Sequence, residues 1–80
     1  MSDDEVIVDF DYKGWRVRLR SKMAPDIGRW HAHALLMCDD GRQLWIQPLG
    51  FSDARTFPSL TAANRAAKEL ARAWIDRQPT

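Results

Sequence analysis

The chain has 80 residues, 45% hydrophobic and 29% charged, with a formal net charge of +1. That length holds one domain with a small core, and that composition is globular rather than disordered. A near-neutral balance provides no overall field to draw in nucleic acid or a membrane, one cysteine excludes an intramolecular disulfide, and no apolar run approaches bilayer length.

Residues 1–5 are polar and acidic, unlike a signal peptide, and they are expected to fray, as are 78–80. The whole of 1–80 reads as a single domain in a reducing, cytoplasmic setting. Charge is unevenly spread: residues 1–12 hold five acids and no base, whereas residues 13–29 hold six bases and one acid.

Val6 to Tyr12 alternates, with Val6, Val8, Phe10 and Tyr12 on one face. Lys13-Gly14 reads as a tight turn, and Trp15 to Arg20 alternates again, with Trp15, Val17 and Leu19 inward. A two-residue loop sets Tyr12 opposite Trp15, Phe10 opposite Val17 and Val8 opposite Leu19. It also sets Asp11 against Arg16 and Asp9 against Arg18. A slip of one residue would bring aspartates opposite core residues.

Ser21 to Gly28, with Pro25 and Gly28, reads as a loop. Arg29 to Cys38 is a third strand, Asp39-Asp40-Gly41 a hairpin turn, and Arg42 to Leu49 a fourth strand. Two registers are open: a two-residue loop pairs Leu36 with Trp45, and a three-residue loop pairs Leu36 with Leu44 and Leu35 with Trp45. Pro48 marks an end or an edge. Gly50 to Pro58 is a connection with a short extended piece at 55–57.

From Ser59 to Arg77 the apolar residues Leu60, Ala63, Ala67, Leu70, Ala71 and Trp74 recur at helical spacing. Ser59 is the expected N-cap, with Thr61 as the alternative. Arg65 with Glu69, and Arg72 with Asp76, are spaced to pair. The fold class is therefore α+β: antiparallel hairpins, about four strands, packed by one C-terminal helix. The expected core is Val8, Phe10, Val17, Leu19, Trp30, Leu36, Leu44, Ile46, Leu60, Ala63, Ala67, Leu70 and Trp74.

Chemistry-bearing residues are few. Arg16, Arg18 and Arg20 share a strand face and with Lys22 could hold phosphates. Asp11 and Asp9 should neutralise two of them, leaving Arg20 and Lys22 available. His31 and His33 share a face, but two ligands fall short of the three protein groups a zinc site needs. Cys38 is too far along its strand from either histidine to be activated by it, and reads as a buried, inert thiol. Asp39-Asp40 suits a turn and lacks the longer ligand loop of a calcium site. No cofactor, metal or catalytic set is expected, and the chain does not read as an enzyme.

The third strand is apolar on both faces, and one helix covers only one. His33, Leu35, Met37 and Trp45 are therefore expected to form a mixed patch for a protein partner or a homodimer, unless Ile27 and Phe51 fold over it.

Two resemblances arise from particular residues. Phe57-Pro58-Ser59 followed by Ala63, Ala67 and Ala71-Arg72-Ala73-Trp74-Ile75-Asp76, after a Gly14-Trp15 hairpin, resembles a class of small bacterial α+β proteins that end in a similar helix. That class carries no established activity, and the likeness implies the fold and a cytoplasmic bacterial setting. Gly14-Trp15-Arg16-Val17-Arg18-Leu19, in a strands-then-helix order, is similar to the sheet-reading DNA-binding domains of phage integrases. That likeness implies Arg16, Arg18 and Arg20 facing DNA. The leading expectation is a non-enzymatic interaction or assembly module, and the alternative is nucleic-acid binding through Arg16, Arg18, Arg20 and Lys22, with no membrane partner.

Overall fold

The alternating segments form one four-stranded antiparallel sheet in the order β1-β2-β3-β4, and the single helix lies across one of its faces. A computed structural model describes residues 5–52 and 54–78. The strands are β1 Glu5–Tyr12, β2 Trp15–Ala24, β3 Arg29–Asp39 and β4 Leu44–Gly50, followed by α1 Leu60–Asp76. This is the expected α+β architecture. Of the segments expected to fray, 1–4 and 79–80 lie outside the described residues. Glu5 instead opens β1, and the Gln78 N–H bonds the Ile75 carbonyl at 3.0 Å.

The first hairpin has the expected register, from Tyr12 opposite Trp15 to Val8 opposite Leu19. Its two-residue turn needs a left-handed backbone at both central positions, and Lys13 (φ 49°) and Gly14 (φ 84°) supply it. Lys13 is the costlier of the two, because its Cβ crowds in that region.

β2 does not stop at Arg20 as expected but runs on to Ala24, which shortens the following loop to 25–28. The inward alternation continues through Ser21, a polar residue that is fully buried. Its hydroxyl donates to Asn64 Oδ1 on α1 at 2.7 Å, so burial leaves it no unmet hydrogen bond.

The second hairpin takes neither expected register. Asp39 pairs with Leu44 and Leu36 with Gln47, closing a four-residue loop over 40–43. The reason is local chemistry: Asp40 Oδ1 accepts from the backbone N–H groups of Arg42 and Gln43 at 2.9 Å each, and Asp39 Oδ1 accepts from that of Gly41 at 2.9 Å. Three loop donors are thus satisfied by side chains, and the wider loop becomes the better solution.

That shift corrects the expected core. Ile46 now faces Met37 and Leu44 faces Asp39, both on the side away from the helix, and each is 56% exposed. Val8 points to the helix side but sits on the outer strand, beyond the reach of α1, and is 40% exposed. The core is instead Val17, Leu19, Ala32, Ala34, Leu36 and Phe57 under a helical stripe of Ala63, Ala67, Ala71 and Ile75. Phe10, Trp30 and Trp74 pack against it from the margin.

Ser59 caps the helix as expected, accepting from the Ala62 N–H at 3.1 Å. The fully buried alanines let the helix axis approach the two central strands closely, with bulk supplied at the flanks, where Trp74 meets Trp15 edge-to-face at 5.2 Å. The expected Arg72–Asp76 pair gives way to another. Asp76 accepts from Lys13 Nζ at 2.7 Å and from the Tyr12 hydroxyl at 2.9 Å, while Arg72 lies over the Tyr12 ring. Among the described residues Arg65 and Glu69 form no ion pair. The helix end is thereby fastened to the first turn. Its start is fastened through Phe57, which exchanges two backbone hydrogen bonds with Trp30 at 2.8 and 2.9 Å, at the extended piece expected around 55–57.

Candidate functional site: the uncovered face of the sheet

Strand parity sends Arg16, Arg18, Arg20 and Lys22 of β2, and His31, His33, Leu35 and Met37 of β3, to the face opposite the helix. From β4 the same face receives Leu44, Ile46 and Pro48. It divides into a charged half over β1 and β2 and an apolar half over β3 and β4.

In the charged half the arginine row is matched by acids. Arg16 bonds Asp11 at 2.7 Å, and Arg18 meets Asp9 with both carboxylate oxygens, at 2.8 and 3.1 Å. The bond from Arg18 holds the Asp9 carboxyl below its ordinary range. Arg20, expected to be available, is not: Glu5 reaches it diagonally from the start of β1 at 2.7 Å. The sequence signal for that pair was present, since Glu5 lies two positions along from the residue opposite Arg20, within diagonal reach on one face. Exposed pairs of this kind add little stability but make the row locally near-neutral.

In the apolar half Leu35 pairs with Pro48 and Met37 with Ile46 across the β3–β4 ladder. His33, Leu35 and Met37 therefore share the face as expected. Trp45 does not. It sits opposite Cys38 on the helix side, 50% exposed, with its indole N–H 3.4 Å from Asp40 Oδ2. Ile46 and Leu44 occupy the place expected for it. The candidate covers leave most of this half open: Ile27 is 53% exposed, and Phe51, edge-to-face with Phe57 at 5.2 Å, reaches only the end beside Leu35 and Pro48.

His31 and His33 lie on the opposite side of the sheet from Cys38, and among the described residues no three metal-ligating side chains cluster. Among the same residues no helix is long and apolar enough to cross a membrane. A scan against protein-family models and searches of curated proteins and of solved structures find no match, so neither resemblance gains a relative.

Proposed function

We propose that this domain is a non-enzymatic protein-interaction or assembly module that meets its partner, a second copy or another protein, on the uncovered face of the sheet. One observation carries the reading: Leu44 and Ile46, each 56% exposed, lie beside Leu35 and Met37 on a face the helix does not touch. A small domain gains stability by burying such side chains, and an apolar strip rimmed by paired charges has the composition of a contact surface. The single cysteine fits a cytoplasmic setting, and the likeness to small bacterial proteins suggests a bacterial one.

A photocrosslinking side chain at position 37, compared with one at position 68 on the helix, tests the reading in cells. Adducts specific to position 37 support it, and equal yields at both positions overturn it. Sedimentation at rising concentration then separates self-association from a foreign partner.

The second reading is nucleic-acid binding through Arg16, Arg18, Arg20 and Lys22, which do share one strand face. Carboxylates already hold three of the four. Titration against duplex DNA at two salt concentrations tests it, and no binding at low salt ends it.

A further inference from the structure

Across the β1–β2 ladder opposite charges confront each other: Asp11 faces Arg16, Asp9 faces Arg18 and Glu5 faces Lys22. On its other side, across the β2–β3 ladder, the far end of β2 meets imidazoles. Arg20 stands directly opposite His33, and Lys22 directly opposite His31. Four groups that carry or can take up positive charge thus mark a rectangle roughly 5 Å across the strands and 7 Å along them. The corner is rich in N–H donors, two from cationic side chains and two from imidazoles.

A depression of about 1010 Å³ opens at this spot, and Arg55 from the segment after β4 lines it as well. The Arg55 guanidinium rests over the rings of Phe51 and Phe57, at 5.4 and 5.2 Å. Glu5 is the acid of the depression among the described residues, and Arg20 occupies it at 2.7 Å. The Lys22 ammonium has no carboxylate partner among the described residues. Gly50, opposite His33, matters to the shape: a Cβ there would stand 3.1 Å from His33 Nδ1, so its absence gives the imidazole its place. Ile7, Leu35, Pro48 and Phe51 supply apolar walls.

We propose that this depression binds a phosphomonoester carried on a small apolar or aromatic body. Donors from two strands and a loop converge from several directions, which suits a tetrahedral dianion better than a planar carboxylate. Among the described residues, the charged groups that line the depression with the two imidazoles are Glu5 from β1, Arg18, Arg20 and Lys22 from β2, and Arg55 from the loop, with no titratable group from β4. This site adjoins the β3–β4 contact strip and shares Leu35 and Pro48 with it, but it needs no partner seated there.

Amide and imidazole NMR titrations with phenyl phosphate and with inorganic phosphate test the proposal. The expected result is saturable shifts at Lys22, His31, His33 and Gly50. Lys22→Gln and the double variant His31→Gln/His33→Gln should each weaken binding by about tenfold. Lys68→Gln, on the helix, should leave it unchanged. Absence of saturation with either phosphate, or equal loss in Lys68→Gln, overturns the proposal. A third arm uses a single-stranded oligonucleotide: shifts that spread along β2 to Arg16, outside the depression, and exceed those from phenyl phosphate would assign the affinity to a nucleic-acid backbone and also overturn it.

Discussion

Asp40 decides more of this structure than any apolar residue of its strand pair. Its carboxyl is held below the ordinary range by the backbone N–H groups of Arg42 and then Gln43, with a smaller contribution from the Trp45 indole. Asp40→Ala should release those amides, and hydrogen exchange at Arg42 and Gln43 should accelerate severalfold while the Tyr12–Trp15 hairpin is unaffected. Ser21 and Asn64 form the one buried polar bond between sheet and helix among the described residues. Ser21→Ala leaves the Asn64 carbonyl without its donor and should cost about 1–2 kcal/mol in urea unfolding. Neither role is visible in the residue type alone. Aspartate before glycine announces a turn without stating its length, and a serine amid alternating residues reads as the end of a strand unless its partner 43 positions away is known.

The two hairpins show why one register was legible in the sequence and the other was not. In the first, apolar alternation and charge alternation give the same answer, so a single slip breaks both patterns at once. In the second, β4 carries no charge, and its apolar residues Leu44, Trp45 and Ile46 are consecutive, so alternation has nothing to select and the loop chemistry decides. The helix was legible in its cap, its period and two of its buried residues, Ala63 and Ala67, whereas Leu60 and Leu70, also expected in the core, are only half-buried. The buried line is the small one, Ala63, Ala67 and Ala71, because close approach favours minimal side chains. Ala67→Leu should therefore push the helix off the strands and cost about 1–3 kcal/mol, read as a lowered urea midpoint. Trp74→Ala removes a half-buried ring whose edge meets Trp15, and should cost about 2–3 kcal/mol with a loss of near-ultraviolet dichroism.

At the scale of the whole molecule, acid should loosen the fold. Asp76 is held below the ordinary aspartate range, first by its bond from Lys13 and then by that from Tyr12; Asp9 and Asp40 are likewise lowered. A lowered carboxyl stabilises the native state above its unfolded-chain pKa, and that contribution disappears as pH falls through the native value. Urea unfolding should accordingly show stability steady near neutrality and declining below the carboxylate range. In Asp76→Asn the difference from wild type should vanish at the acid end. The same molecule leaves one side of its sheet uncovered, and that division of surfaces was legible from the doubly apolar third strand. Which β4 residues join the uncovered side was not, because it follows from the four-residue loop.

The strand order 1-2-3-4 has a kinetic meaning as well. Every strand hydrogen-bonds to its neighbour in the chain, so closing the sheet requires only short loops and little entropy, and local zippering should be fast. During synthesis the ribosome delivers four complete strands before it releases the segment that shelters them. For that interval the nascent sheet is bare on both sides, and arrival of the alanine stripe of α1 is the event that makes its two sides different.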